Sequence, residues 1–199
     1  MAVRFASSSR IKNDLPRYSN FWDNTTIYNP FTPTGSYDAL ASYTVGSGGI
    51  SSITFAGLPT GGQYTHLQIR GISKATASGT DSYITINSGT SSVYRHQLLG
   101  DGSSASASAN SGNSYIIMTA GSSGTNIFDA SVIDFLDYAS TTKNKVVRVL
   151  SGRDLNGSGL LSFGSALWTT TNPITDITLT PAGTSFAQYT QFAIYGVKG

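Results

Sequence analysis

The side chains that could carry acid–base or metal chemistry in this 199-residue chain are few. Its two histidines, His66 and His96, lie inside strand-like runs and lack the spacing of a helical metal-binding pair. The ten acidic residues are all aspartates, and Asp129, Asp134 and Asp137 form their closest cluster. That cluster could supply the paired carboxylates of a glycoside hydrolase, but a solvated sheet face explains it equally well.

Other nucleophiles and phosphate-binding loops have no better support. The chain has many serines but no G-x-S-x-G motif, and its glycine-rich segments lack the Lys-Ser/Thr ending of a phosphate loop. The absence of cysteine excludes a disulfide framework, a thiolate zinc site and a cysteine nucleophile. We therefore expect a protein that is not an enzyme and that uses no cofactor or metal.

The charge balance and the distribution of apolar residues argue against two classes of partner, nucleic acid and membrane. The formal net charge is +2 and charged residues make up 11% of the chain, well below the roughly 25% of an average soluble protein. Such a chain offers no broad electrostatic attraction for nucleic acid. It also has no apolar stretch that approaches the roughly 18 residues of a membrane span, and no signal-like run at its N-terminus. We expect neither a nucleic-acid nor a membrane partner, and synthesis in the cytoplasm.

From Tyr37 onward, short apolar runs of period two alternate with turns rich in glycine, serine and proline. These runs predict successive strands at 43–45, 50–55, 64–70, 83–86, 93–98, 115–118, 145–150, 160–163, 174–179 and 192–195. The same alternation predicts that certain large side chains are packed in the core, namely Tyr64, Leu67, Ile69, Tyr94, Phe192 and Ile194. Many short strands without intervening helices indicate an all-β antiparallel sandwich or barrel.

Two segments are less clear. In 126–138, Phe128, Val132 and Phe135 fall near helical spacing, but alternating faces favour a strand that forms a hairpin with 145–150. The serine-rich interval 101–114 has no large apolar alternation, and we interpret it as an exposed loop.

Residues 1–35 differ from the rest of the chain and predict an extended N-terminal docking arm, followed by a β-sandwich domain at 36–199. Aromatic and basic side chains dominate protein interfaces, and large rings are costly to leave in water. A frayed basic tail, or rings that simply cover the arm's own sandwich, are the alternatives. The predicted partner-binding residues are Arg4, Arg10, Lys12, Arg17, Phe21, Trp22, Tyr28 and Phe31.

Several strand-and-turn motifs resemble a group of tailed-bacteriophage virion proteins common in aquatic and cyanobacterial phages. The resemblance covers roughly residues 37 to 199 and is carried by the motifs at 48–59, 64–71, 94–98 and 168–198. It implies a jelly-roll-like antiparallel β-sandwich displayed on the virion. The motifs describe a scaffold rather than a chemistry, so fold analogy alone does not fix the position in the particle.

Within that family, a capsid decoration (cement) protein is the preferred role. A fibre needs a long repetitive shaft, whereas a 35-residue arm suffices to grip a neighbouring surface. This role implies the major capsid protein and copies of itself as partners, a homotrimer on the capsid surface, and stabilisation of the head. The alternative is a tail- or head-fibre domain that binds a receptor or a host-surface glycan, with Trp168 and the interval 101–114 as its candidate site. A hydrolase of surface polysaccharide is the third hypothesis.

Overall fold

The computed structural model describes residues 36–77, 81–89, 93–101, 103–119, 126–154 and 159–199. The predicted arm at 1–35, with all eight of its predicted contact residues, lies outside these ranges, so the arm and its boundary stay predictions. The described residues form twelve strands and one 3-10 turn at Asn87–Gly89. Within this part of the chain, no helix combines the length and apolar character needed to cross a bilayer.

The strands follow one another without interruption by α-helix in the described ranges, and the expectation of an all-β fold is confirmed. Their bounds are β1 Tyr37–Thr44, β2 Ile53–Ala56, β3 His66–Ser73, β4 Asp81–Ile86, β5 Val93–Gly100, β6 Ala105–Asn113, β7 Ile116–Thr119, β8 Asp129–Leu136, β9 Lys145–Asp154, β10 Gly159–Trp168, β11 Asp176–Pro181 and β12 Gln191–Val197. The segment 126–138 is therefore a strand, as favoured, and it forms the expected hairpin with β9.

The strands form two antiparallel sheets that pack as a sandwich. The larger sheet has the order β1-β12-β3-β8-β9-β10-β5-β6, and the smaller has the order β2-β11-β4-β7. If the hairpins β5–β6 and β9–β10 are set aside, the first remaining strand pairs with the last, the second with the second from last, and so on inwards. This nested pairing is the topology of a jelly roll.

The two additional hairpins enlarge only one of the sheets. The pair β9–β10 extends the larger sheet beyond β8, and β5–β6 is added at the far side of β10. The larger sheet therefore has eight strands, whereas the smaller keeps the four of a jelly roll. Four strands must cover the inner face of eight.

The core lies between the sheets, where side chains of alternate residues meet. The larger sheet contributes fully buried residues such as Ile69, Ile133 and Val149, and the smaller contributes Ile84 and Leu179. Burial alternates along β8, β9 and β12, as a strand with one face on the core requires. The period-two alternation of apolar residues in the sequence therefore predicted these strands correctly.

A buried lysine closes one end of the sandwich. Lys145 is fully buried, and its ammonium donates to the backbone carbonyls of Ser140 at 2.5 Å and Lys143 at 2.8 Å. It also lies 6.0 Å from the ring centroid of Trp168, its register partner on β10. Burial lowers the pKa of the lysine, and the carbonyls together with the ring compensate part of that desolvation.

Two expectations about individual segments were wrong. The interval 101–114 is mostly strand β6, which pairs with β5 at the edge of the larger sheet. An edge strand needs only backbone partners, so its small alanines and serines give no apolar alternation. Tyr94 is 50% exposed rather than in the core, while Leu67, Ile69, Phe192 and Ile194 are buried as predicted and Tyr64 packs partly buried against them.

The packing of Gly71 on β3 against Phe192 on β12 predicts the cost of adding a single methyl group. A Cβ added at Gly71 would lie 2.7 Å from the carbonyl oxygen of Gln191 and in contact with the buried ring of Phe192. We expect Gly71→Ala to lower the free energy of unfolding by about 1–3 kcal/mol, because an overpacked core must shift. Gly46→Ala is the matched control, with nothing within 4 Å, and we expect a change below about 0.5 kcal/mol. Equal denaturant midpoints for the two variants would contradict this packing.

The turn between β5 and β6 depends on one carboxylate. Asp101 Oδ1 accepts backbone hydrogen bonds from Ser104 at 2.7 Å and Ser103 at 2.9 Å. These bonds lower the pKa of Asp101 to about 2 from an ordinary value of 3.8.

Because the folded pKa lies below the unfolded one, this stabilisation of the turn is complete above about pH 4 and is lost as the pH falls through about 2. We expect the carboxyl carbon of Asp101 to titrate near 2 in an NMR titration. A Ser103→Pro variant removes one backbone donor and should raise the midpoint. A midpoint near 3.8 in the unmodified protein would show that the turn does not form.

Candidate protein interface

The outer face of the larger sheet carries an unusual number of exposed apolar side chains. We call seven of them on β5, β9 and β10 the outer patch: Tyr94, Leu98, Val146, Leu150, Leu161, Phe163 and Leu167. Each is between 36% and 59% exposed. The strand register places them in two clusters, because Phe163 lies between Leu150 and Leu98, and Leu167 lies between Val146 and Tyr94. The polar residues Arg148, Ser165 and His96 form a row between the two clusters. Monomeric soluble proteins rarely expose extended apolar patches unless the patch has a partner.

The arrangement on β10 is the reverse of an ordinary core strand. Its large residues Leu161, Phe163 and Leu167 point outward, whereas Ser162 and Ala166 are buried. Trp168, at the end of the strand, is the exception, because its large side chain is buried in the core. The sequence pattern of β10 therefore places three of its large apolar residues on a surface rather than in the core.

A polar row crosses the same face and divides it. Gln68 Nε2 donates to Asp134 Oδ1 at 2.7 Å, and Arg148 Nη2 lies 3.5 Å from Asp134 Oδ2. Arg70 Nε in turn donates to Gln68 Oε1 at 2.5 Å. Ion pairs this exposed contribute little to stability. We interpret the row mainly as a set of charged side chains, held in place by their hydrogen bonds, that a partner could recognise.

Beside the outer patch, the outer face of the larger sheet contains an open groove of about 670 Å³. Its apolar lining includes Ile72, Ala130, Val132, Leu150 and Leu161, and polar side chains of Ser42, Arg70, Gln191 and Tyr195 lie along the side formed by β1, β3 and β12. The groove is within the roughly 300–1,000 Å³ range of small-ligand sites. It shares Leu150 and Leu161 with the outer patch, so the two features form one continuous surface.

Comparison with family models, curated proteins and solved structures finds no match for this chain. Its function therefore has to be inferred from its own geometry.

The structure separates the three aspartates that the sequence placed together. Asp129 is fully buried on the inner face, 3.5 Å from Arg153 Nη1. Asp134 belongs to the polar row on the outer face. Asp137 follows β8 in the turn, where its carboxylate lies 3.1 Å from Lys143 Nζ. They occupy three different surroundings and do not form one carboxylate pair.

The two histidines also lie apart. His66 Nδ1 accepts the backbone N–H of Asp137 at 2.9 Å and so fixes the turn after β8, where Asp137 has a φ of 52°. His96 is exposed on β5, opposite Ser165 of β10. Among the described residues, no group of three or more His, Cys, Asp or Glu side chains is arranged to hold a metal ion.

The candidate site of the fibre-head alternative is not formed as expected. Trp168 is 2% exposed and packs over Lys145 in the core, so it offers no ring to an external sugar. The accompanying loop is instead the edge strand β6. Sequence reasoning missed the outer patch because it assigned Tyr94 to the core. A signal was present in the sequence of β10, where large residues alternate with small ones, so that the more apolar face is the one that lies outside.

If the outer patch is a surface and not a hidden core, Leu98→Ser should be tolerated. We expect a change of less than about 1 kcal/mol in the free energy of unfolding, because more than half of the Leu98 side chain is already exposed. Binding of a hydrophobic dye such as ANS should fall. The buried Ile69→Ala is the comparison and should cost about 2–5 kcal/mol. A similar loss of stability in both variants would argue that the patch is packed in the folded protein.

Proposed function

We propose that this protein is a non-enzymatic structural protein of a bacteriophage virion, a decoration (cement) protein that docks on the major capsid protein lattice and stabilises the head. The observation that carries the proposal is the outer patch. This apolar face lies on a sheet of eight strands that is covered on its inner side by only four. Such a face fits a protein that acts by covering another surface.

The topology and the sequence motifs support the same class. Jelly rolls recur in viral capsid and lectin domains, and the motifs of 37–199 resemble phage virion proteins. Fold analogy is a weak argument for function by itself. It gains weight here because the additional hairpins, which are not part of the eight-stranded jelly roll, carry all seven residues of the outer patch.

In this proposal the basic residues of the N-terminal segment, Arg4, Arg10, Lys12 and Arg17, contact acidic groups on the capsid. Charged side chains at the rim of an interface mainly speed and orient association, whereas buried apolar side chains slow dissociation. The outer patch would then supply most of the contact area. Copies of the protein related by a threefold axis, as in the predicted homotrimer, would bind with added avidity.

The proposal is tested by adding purified full-length protein to capsids that lack it and measuring saturable binding by co-sedimentation. We expect the double variant Leu98→Asp/Phe163→Asp to lose at least tenfold in affinity, because two charges would be buried against the capsid. The matched control, Thr54→Asp/Ala56→Asp, adds the same charges to exposed positions of β2 on the other sheet and should bind as the unmodified protein does.

Binding to host cells and to their surface glycans is measured with the same proteins. Capsid binding that saturates, depends on the outer patch and occurs without cell binding would support a decoration role. Cell or glycan binding without capsid binding would overturn the proposal in favour of a receptor-binding head. Equal capsid binding by the patch variant and the control would show that the outer patch is not the docking surface.

A further inference from the structure

The far edge of the larger sheet is formed by strand β6. This strand ends the sheet order, and β5 is the one strand that pairs with it among the described residues. Its residues from Ala105 to Gly112 are all exposed. An edge strand presents a row of unpaired backbone N–H and C=O groups, to which another strand can be added.

Proteins usually protect such edges with a short strand, a charged side chain, a proline or a bulge. Three of the four edges in the described sheets have one of these features. Strands β2 and β7 have four residues each, and β1 has a register shift between Ala39 and Ala41 and carries the charged Asp38. Strand β6 has nine residues, none of them charged and none a proline, and its register shift comes only after Asn110. The stretch 105–110 is therefore an edge that is open to pairing.

The turn between β5 and β6 fixes which backbone groups face the open side. The N–H of Asp101 donates to the carbonyl of Ser104 at 3.2 Å, so these two residues form a hydrogen-bonded pair. Along an antiparallel ladder, hydrogen-bonded pairs alternate with non-hydrogen-bonded ones, and the register continues without a shift as far as Asn110. The residues at 105, 107 and 109 therefore direct their N–H and C=O groups away from β5.

These three residues are all alanines. Ala107 lies opposite Leu98 of the outer patch, so the three methyl groups lie on the outer face of the sheet. Ser106 and Ser108 lie between them on the inner face. An incoming strand would therefore meet free backbone groups with small, uncharged side chains on both sides.

We propose that β6 pairs in antiparallel fashion with β6 of a second copy of this chain, about a two-fold axis at Ala107. The three alanines are spaced evenly about Ala107, so Ala105 lies opposite Ala109 of the second copy and Ala107 lies opposite its own equivalent. Every backbone group that these residues direct away from β5 is then paired. On the inner face, Ser106 lies opposite Ser108 of the second copy, and no two like charges come together.

The same pairing joins the outer patches of the two copies on one face of a continuous sheet, because Leu98 lies beside Ala107 on each side of the axis. The inference rests on the backbone of β6, and it holds whether or not the protein binds capsids. Since the contact is two-fold, the predicted homotrimer would have to form through a different surface.

The chain has no cysteine, so a single introduced cysteine reports on the contact in the full-length protein. The Cα atoms of a hydrogen-bonded antiparallel pair lie about 5.5 Å apart, within the roughly 4.4–6.8 Å that a disulfide spans. We expect Ala107→Cys to form a covalent dimer on mild oxidation. Leu98→Cys is the matched control, since Leu98 is exposed on the same face but would lie three strand spacings, roughly 14 Å, from its equivalent. It should not form this cross-link.

Sedimentation of the unmodified protein over a concentration series should show an equilibrium between the 20.9 kDa chain and its dimer. Ala107→Pro removes an N–H on the open side without removing a bond to β5, and we expect it to weaken dimerisation by about tenfold or more. Ala107→Thr keeps the N–H and should dimerise as the unmodified protein does. If circular dichroism shows that the proline variant is misfolded, Ala107→Lys replaces it, because it places two like charges opposite each other.

A protein that stays monomeric throughout the series would overturn the proposal, as would Ala107→Cys that forms no cross-link. A dimer that Ala107→Pro leaves intact would overturn it too. Loss of that dimer in Phe163→Asp would then show that the copies meet through the outer patch and not through the sheet edge.

Discussion

Two sheets of unequal width have to share one core, and the rest of the architecture depends on this constraint. The four-stranded sheet covers the inner face of the larger sheet completely only where the jelly-roll strands and β9–β10 lie. Beyond it, on β5, the inward residues Arg95 and Gln97 are only half-buried. Arg95 lies 5.1 Å from the ring centroid of Tyr115, and Gln97 donates to Ser162 Oγ at 2.9 Å. Polar side chains therefore occupy the inner face where the covering sheet ends.

The same constraint explains why apolar side chains accumulate on the outside. Strand β9 carries large residues on both faces, and β10 carries Leu161, Phe163 and Leu167 on its outer face and Trp168 on its inner face. One of those faces meets the core, and the other faces solvent along a sheet that has no third layer among the described residues. Natural sheets with one solvated face usually alternate apolar with polar residues. Departure from that alternation is greatest on the strands added to the jelly roll, and Ile72 of β3 and Val132 of β8 extend it into the groove.

The elements were predictable from the sequence, whereas the direction of their faces was only partly so. Period-two alternation distinguished strand from helix at β8 because Ile133 and Phe135 pack on the core while Asp134 faces out. The same rule failed for Tyr94, because the inward face of β5 includes the polar Arg95 and Gln97, whereas large apolar residues such as Tyr94 and Leu98 face outward. It also missed β6, whose alanines and serines pair through their backbone alone. The groove is lined by residues of six strands, and no local sequence pattern records how those strands come together.

The size of the outer patch indicates what kind of interface it can form. A fully buried Leu, Val or Phe contributes about 1.5–3 kcal/mol, so covering seven side chains that are about half exposed would yield on the order of 7 kcal/mol. Association itself costs roughly 4–15 kcal/mol in lost translational and rotational freedom. The patch alone would therefore give weak binding to an isolated partner. It becomes effective where a second contact is added without a second loss of freedom, as happens when several linked copies meet a repeating surface. A capsid lattice is such a surface, so the modest binding energy of the outer patch is compatible with the proposed decoration role.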